Sequence, residues 1–473
     1  MNPAVAIVGG GISGLAAAYQ LQTAGIPFVL LERGDRLGGV VTTEHVSGYT
    51  IDAGPDALLT QKPAAIDLCG ELGLASRLRP QLQRNTFVVR RQRLRELPEA
   101  SVLGIPTRWL PFVTTDAFSW LGKLRMATEP LWPAAPAAAD ESIASFIGRR
   151  FGQEAVAYLA EPLLAGIHGG DPAQLSMRAA FPRFLELEAK YGSVIAGLRK
   201  IRAAQSGSNG RHGAPFVSLP DGMSELVEAL IRRLPPASLR TNASLAKLVE
   251  TAGGFTIRLQ GGDRLDVPAV LLATPPHVTQ ELARSFDPPL AHLCGRVRAA
   301  SVVTVALGFA RSAVRHPLNG AGVVVPRREQ LTIRALSWVS SKWADRAPAD
   351  RVLLRAYLGG INDPDAIEWS DDALIAAACR DTAALVETIG DPELARVYRW
   401  RDSTPQLEVG HGDLMTAIES RLNLRPNLMI SASGFRGTGI ADCVADGRRQ
   451  AVRAADWLQR AGYAAHEASA PTA

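Results

Sequence analysis

Val5-Ala6-Ile7-Val8-Gly9-Gly10-Gly11-Ile12-Ser13-Gly14-Leu15 opens the chain, and Phe28-Val29-Leu30-Leu31-Glu32 follows it. An all-apolar run of this length is the pattern of a strand buried on both faces of a parallel sheet. The glycines at 9, 11 and 14 then start a helix that runs from about Ile12 to Ala24 and is closed by Gly25. A second strand ends on an acid, so the segment reads as a strand–helix–strand unit that binds a dinucleotide. The glycines differ in what they make possible. Gly9 permits the tight turn, Gly11 lets the backbone approach a pyrophosphate, and Gly14 lets helix and strand pack closely. The helix N-terminus supplies free N–H groups and a positive dipole end to the phosphates, and Gly10, Ile12 and Ser13 of the same turn count among the cofactor-binding residues. Glu32, eighteen residues beyond Gly14, is placed to accept hydrogen bonds from ribose hydroxyls.

Working outward, Arg36-Leu37-Gly38-Gly39-Val40 and Gly48-Tyr49-Thr50-Ile51-Asp52-Ala53-Gly54-Pro55-Asp56-Ala57 form a second glycine-rich zone. A strand pair is predicted around Phe87-Val88-Val89 and Leu94–Leu97. Residues 100–205 read mainly as helices, including two at roughly 141–150 and 153–165. Ala203–Pro215, small and polar, reads as a mobile loop. Strand-like segments at 245–250, 254–260 and 269–273 follow, then the strands VVTVALGF and VLLRAYL and a helix over 371–389. The chain closes with a strand at 428–432, the loop Ser433-Gly434-Phe435-Arg436-Gly437-Thr438-Gly439, and a helix from about 440 to 460.

With 473 residues there is room for two or three domains at ~150 residues each. Four cysteines without a paired spacing exclude a disulfide framework and a zinc site; Cys69, Cys294, Cys379 and Cys443 read as buried apolar thiols. No metal is expected. The formal charge of +5 comes from arginine, since only six lysines occur, and no basic run with interleaved aromatics suggests nucleic acid. The start at Met1-Asn2-Pro3 lacks the basic region of a signal peptide, and no apolar run reaches the ~18 residues of a membrane span. A cytoplasmic monomer or homodimer is expected, with at most weak peripheral membrane contact. The aromatics Trp109, Phe112, Phe118, Trp120 and Trp132 read as core or substrate channel, because no matching polybasic face accompanies them.

Several separated segments carry a resemblance that spans nearly the whole chain. Arg36–Gly39 resembles the second glycine motif of amine-oxidase-type flavoproteins. Leu97–Thr107, Phe118–Met126, Ser142–Gly152, Pro162-Leu163-Leu164-Ala165-Gly166-Ile167-His168-Gly169-Gly170-Asp171-Pro172, Leu219–Met223 and Gly437–Cys443 are similar to the porphyrinogen oxidases, the FAD enzymes of late heme synthesis. Amine oxidases and carotenoid desaturases share the first and last of these but not the middle ones.

The resemblance implies an α/β fold of the amine-oxidase type with non-covalent FAD. It places the FAD-binding domain at 1–65, 215–285 and 425–465, a mixed-sheet substrate domain at 66–100 and 286–424, and a helical domain at 101–205. It implies oxidation of coproporphyrinogen III or protoporphyrinogen IX by dioxygen, with release of hydrogen peroxide. Arg33, Val40, Gly54, Pro55, Asp56, Ala57, Thr438, Gly439 and Ile440 would then line the flavin or its phosphates, with Leu245 at the adenine end. Gly166 and Gly169 would lie beside the substrate, and Arg84 and Arg91 would meet its propionates. The flavin is the hydride acceptor, so no catalytic side chain is required; His168 is the one candidate base. Strand alternation would put Arg91, Arg93 and Arg95 on one face and Arg84 and Arg90 on the other. Two alternatives share the scaffold: an amine oxidase or desaturase, and a flavin-binding protein without turnover.

Overall fold

The computed structural model describes residues 3–98, 105, 109–134, 140–206 and 214–463. The opening motif forms the expected unit: strand Val5–Val8, helix Ile12–Thr23, strand Phe28–Leu31. Val5–Val8 is central in a parallel sheet of five strands, between Phe28–Leu31 and Ala269–Leu272, with Leu239–Arg240 and Leu428–Ile430 at the edges. Successive residues alternate between two cores. Val5, Ile7, Leu30 and Leu271 pack under helices Ile12–Thr23, Ser224–Arg233 and Ile440–Arg460, whereas Ala6, Val8, Val270 and Leu272 face the three-stranded ribbon Leu245–Val267. Both faces are covered, so every residue of the strands Val5–Val8, Phe28–Leu31 and Ala269–Leu272 is apolar. The outcome is an α/β fold whose dinucleotide sheet is built from three separated stretches of chain.

A second, seven-stranded mixed sheet carries Leu394–Pro405 at one edge and Arg93–Glu96 at the other, with Ala299–Ala310, Arg351–Gly359, Ala335–Trp338, Gly322–Val324 and Thr86–Arg90 between them. One face packs on helix Asp371–Val386 through Val303, Val305, Trp338 and Leu354. The other is shared. Ala306, Leu353 and Leu394 meet Tyr49 and Ile51 of the dinucleotide part, and Val88, Val324, Ala335 and Tyr357 meet the helical layer. We propose that the three parts divide along the boundaries expected above.

Two expectations are corrected. A two-residue turn at Arg91 and Gln92, both with positive φ, breaks the segment into Thr86–Arg90 and Arg93–Glu96. Val88 stands opposite Arg95 and Arg90 opposite Arg93, so Arg90, Arg93 and Arg95 share a face and Arg91 belongs to neither strand. The aromatic set is divided rather than uniformly core. Phe112 and Phe118 are buried, but Trp120 is 72% exposed and stands with Leu121, Leu124 and Leu131 in an apolar surface patch. The side chain of Trp109 and most of Leu97–Thr107 lie outside the described residues, as do residues 207–213 of the expected loop; Ala203–Ser206 instead ends helix Val194–Ser206.

Within the helical layer Arg150 is buried between two carboxylates, Glu129 and, at 3.4 Å, Glu188. Arg150 Nε donates to Glu129 Oε1 at 2.7 Å, and Glu129 also accepts from Ser193 Oγ at 2.5 Å and the Val194 amide at 3.0 Å. Both side chains are fully buried. Removing Glu129 leaves Arg150 with the more distant Glu188 and backbone carbonyls, so the cost falls below the roughly 3–5 kcal/mol of a wholly unpaired buried charge. Glu129→Ala is therefore expected to lower the thermal midpoint by several degrees, read by calorimetry; an unchanged melting curve would contradict the pairing.

Candidate functional site

The glycine turn is built from contacts that only glycine allows. Gly9 has φ +108°, and a β-carbon there would lie 2.4 Å from the Ala273 carbonyl oxygen. A β-carbon on Gly14 would lie 2.0 Å from the Gly9 oxygen, so the helix sits directly on the turn. At Gly11 the same construction meets nothing within 4 Å. That position faces open space while its neighbours are closed, which is the arrangement a pyrophosphate needs.

The second glycine zone completes the cradle. Gly38 donates to the Gly10 carbonyl at 2.8 Å and pairs with Gly11, and a β-carbon on Gly39 would lie 3.2 Å from Gly11 Cα. Gly54 in turn abuts Val40, where a β-carbon would fall 2.0 Å from the Val40 oxygen. Val40 itself is 41% exposed, an apolar side chain left uncovered. A continuous backbone surface thus runs from Gly11 through Gly39 and Val40 to Gly54.

Glu32 sits at the strand end as expected. Its Oε2 accepts from the Gly10 amide at 2.7 Å and its Oε1 from the Gly34 amide at 2.8 Å. Asn242 and Ala243 donate to the carbonyls of Gly34 and Glu32, each at 2.8 Å, which brings the strand beginning at Leu245 beside this carboxylate. Arg33 is exposed. Ser13 at the start of the first helix and Cys443 of the last helix are both buried. That helix starts at Ile440 with Gly439 as its cap; the Gly439 amide donates to Asp442, which also pairs with Lys62 at 2.7 Å. It packs on the first helix so closely that a β-carbon on Gly447 would lie 2.3 Å from the Ser13 oxygen.

Pro55, Asp56 and Ala57 follow on the loop after Gly54, and the Asp56 carboxylate turns inward. Its Oδ2 meets Lys342 Nζ at 2.9 Å, Arg355 Nη2 at 3.1 Å and Trp343 Nε1 at 3.4 Å. Burial alone would raise this carboxyl, but Lys342 and Arg355 outweigh it and hold it well below the usual range. Arg355 Nη1 donates to the carbonyls of Asp52 at 2.5 Å and Gly54 at 2.9 Å. Thr304 and Trp400 donate to the Ala53 carbonyl at 3.1 and 3.0 Å. Tyr357, whose ring centroid lies 5.0 Å from the Arg355 guanidinium, is pushed up by burial to about 12. Sequence reasoning missed Arg355, Lys342 and Tyr357. The available signal was one arginine inside the apolar strand Val352-Leu353-Leu354-Arg355-Ala356-Tyr357-Leu358, since a charge there needs a buried partner.

Helix Glu161–His168 closes the third side. A β-carbon on Gly166 would lie 2.9 Å from Ala335 Cβ, and one on Gly169, at φ +54°, would lie 2.8 Å from Val302. Both glycines thus seat the helical layer on the mixed sheet beside the strand of Tyr357. The side chain of His168 lies outside the described residues. Arg84 and Arg91 are solvent-exposed, and neither guanidinium has an acidic partner among the described residues. Arg90 and Arg95 do: they pair with Glu154 and Asp116. The edge strand Arg93–Glu96 lies four strand spacings from that of Arg355, about 19 Å across the sheet.

A helix N-terminus facing an open glycine, with an acid at the next strand end, is a dinucleotide-binding arrangement. Comparison with known proteins agrees: residues 12–455 match the model of the flavin containing amine oxidoreductase family, and the chain belongs to that family. It is 34% identical to coproporphyrinogen III oxidase of Bacillus subtilis (strain 168), over 96% of this chain and 98% of that one. It is 31% identical to coproporphyrinogen III oxidase of Staphylococcus aureus (strain NCTC 8325 / PS 47), over 95% and 98%. A solved putative protoporphyrinogen oxidase from Exiguobacterium sp. 255-15 superimposes with a TM-score of 0.85 at 30% identity, covering 96% and 98% of the two chains. The protein is an FAD-dependent oxidoreductase.

The open space at Gly11 separates binding from folding. Gly11→Val is expected to leave the melting temperature within a few degrees while abolishing FAD occupancy. Gly14→Val, whose side chain meets the Gly9 oxygen, is expected to cost the fold itself. Full flavin absorbance in folded Gly11→Val protein would overturn the placement.

Proposed function

We propose that this protein oxidises coproporphyrinogen III to the porphyrin with FAD and dioxygen, releasing hydrogen peroxide in heme synthesis. The observation that carries the reading is the near full-length match to two coproporphyrinogen III oxidases, on a chain whose open glycine surface suits FAD. A porphyrinogen loses six hydrogens on becoming a porphyrin. Bound FAD would accept them as three two-electron equivalents.

The chain's own residues bind and orient. Gly9–Gly14 and Glu32 would hold the pyrophosphate and ribose, with Arg33 and Leu245 toward the adenine end. Gly38–Val40 and Gly54–Ala57 would carry the ribityl and ring. Thr438, Gly439 and Ile440 would present the positive end of the last helix to the ring's electron-rich edge. The substrate would enter where Gly166, Gly169 and Tyr357 meet, and the packed helical layer would exclude water there.

Carboxylate recognition is assigned to the unpaired Arg84 and Arg91. A solvated contact contributes at most about 1 kcal/mol, so Arg84→Ala and Arg91→Ala should each raise KM no more than about fivefold. The effect should be larger for coproporphyrinogen, with four propionates, than for protoporphyrinogen, with two, and should fade as salt rises. Arg90→Ala should instead lower stability through Glu154. A KM unmoved by either exposed arginine places the propionates elsewhere.

No helix among the described residues is long and apolar enough to cross a membrane. A cytoplasmic location, a monomeric or dimeric state and weak peripheral contact through Trp120, Leu121, Leu124 and Leu131 belong to this proposal. Flotation with vesicles tests the contact: a small bound fraction, lost in Trp120→Ala, is expected, and equal flotation of both proteins would discount the patch. The activity itself is tested by fluorescence and peroxide assays on both porphyrinogens. Three peroxides per porphyrin formed, faster from coproporphyrinogen, is expected; turnover of amines alone would contradict it.

A further inference from the structure

Beneath the loop Asp52–Asp56 lies a buried group of charges that the binding of FAD does not by itself require. Arg346 Nη2 approaches Asp52 Oδ2 at 3.1 Å, and Arg355 and Lys342 converge on Asp56. The Asp52 Oδ1 is occupied by the Met223 amide at 2.8 Å and the Thr43 hydroxyl at 2.6 Å. Side-chain exposure is 1% for Arg346, 5% for Arg355, 16% for Lys342, 3% for Asp52 and 13% for Asp56. Three cations therefore face two carboxylates, an excess of one positive charge held away from water. The hydrogen bonds agree: Arg346 Nε and Nη1 and Arg355 Nε are buried with no acceptor among the described residues. Donors outnumber acceptors, and the positive potential is not consumed within the cluster.

Arg346 also donates to Ser218 Oγ at 2.9 Å and the Leu219 carbonyl at 3.0 Å, so Arg355 is the member of the cluster that reaches the cofactor loop. Arg355 grips the carbonyls of Asp52 and Gly54, and Gly54 in turn abuts the backbone of Val40, whose side chain is exposed. Gly54 is therefore the residue that joins the Arg355 guanidinium, through its carbonyl, to the Val40 backbone. Charges several ångströms apart in such a desolvated setting interact far more strongly than in water.

We propose that the excess positive charge centred on Arg355 makes the bound flavin a stronger electron acceptor, with Arg355 and Lys342 as positioning residues and Asp56 as the opposing charge. The inference rests on the FAD reading above. Bound FAD would take a hydride from a substrate C–H bond, leaving the reduced flavin as an anion and the substrate to lose one proton; dioxygen and one proton would then return FAD and release hydrogen peroxide. A buried cation favours the anionic form of that couple and a buried carboxylate opposes it. The flavin-facing role thus has a sign that a purely mechanical clamp does not.

The proposal is tested by the reduction potential of bound FAD, measured anaerobically against a reference dye in the full-length holoprotein. Arg355→Gln and Lys342→Gln should lower the ratio of reduced to oxidised flavin at a fixed dye poise by threefold to tenfold. Tenfold corresponds to about 30 mV for a two-electron couple. Asp56→Asn should raise the ratio by a similar factor, and Arg355→Lys should restore it. Should Arg355→Gln fail to fold, Lys342→Gln and Asp56→Asn carry the comparison by their opposite signs. Ratios within twofold of the parent in all folded variants, or shifts of one sign in Lys342→Gln and Asp56→Asn, overturn the proposal. A parent protein without flavin absorbance would instead remove the FAD reading, and is seen before any potential is measured.

Discussion

At Gly14 the first helix comes so near the Gly9 carbonyl that only a hydrogen fits between them, and the same restriction recurs where Gly54 meets Val40. Close backbone approach is the constraint on which the rest of the site depends. It folds three turns of chain against one another without side chains to hold them apart, and so leaves amides and α-carbons as the surface. Gly11 alone among them has open space in front of it. Glycine costs conformational entropy at each position, roughly 0.5–1 kcal/mol relative to alanine in regular structure, and the parallel sheet beneath offsets that cost by burying both faces of its strands.

Joining the layers calls for a different device. The mixed sheet and the turn after Trp338 meet the dinucleotide part through Ala306, Leu353 and Leu394 against Tyr49 and Ile51, and through Arg346, Arg355 and Lys342 against Asp52 and Asp56. The sheet meets the helical layer through apolar residues and the two glycines Gly166 and Gly169. Buried ion pairs contribute little net stability because desolvation offsets attraction. They do penalise any arrangement that leaves one charge alone. The ions therefore define where loop Asp52–Asp56 sits, and the apolar contacts supply most of the binding between layers.

Much of this was legible along the chain because it rests on local rules. A glycine spacing, an apolar strand and a terminal acid lie within 32 residues and need no distant partner to be read. The hairpin at Thr86–Glu96 was legible as strands but not in its facing, because two left-handed residues at Arg91 and Gln92 reset the alternation. Trp120 read as core because no polybasic face accompanies it; its neighbours Leu121 and Leu124 are exposed on the same short helix, which composition alone does not reveal. The pairing of Asp56 with Lys342 and Arg355 joins positions nearly 300 residues apart, and no local periodicity encodes such a contact.

Four distant segments, 9–14, 38–40, 53–57 and 438–440, are held to form one surface for FAD, and every other functional statement depends on it. Amide hydrogen exchange on flavin-stripped protein, with and without added FAD, tests it most directly. Amides in all four segments should gain protection together and at the same FAD concentration. Protection confined to residues 9–14, or arising at a different face of the molecule, would contradict it.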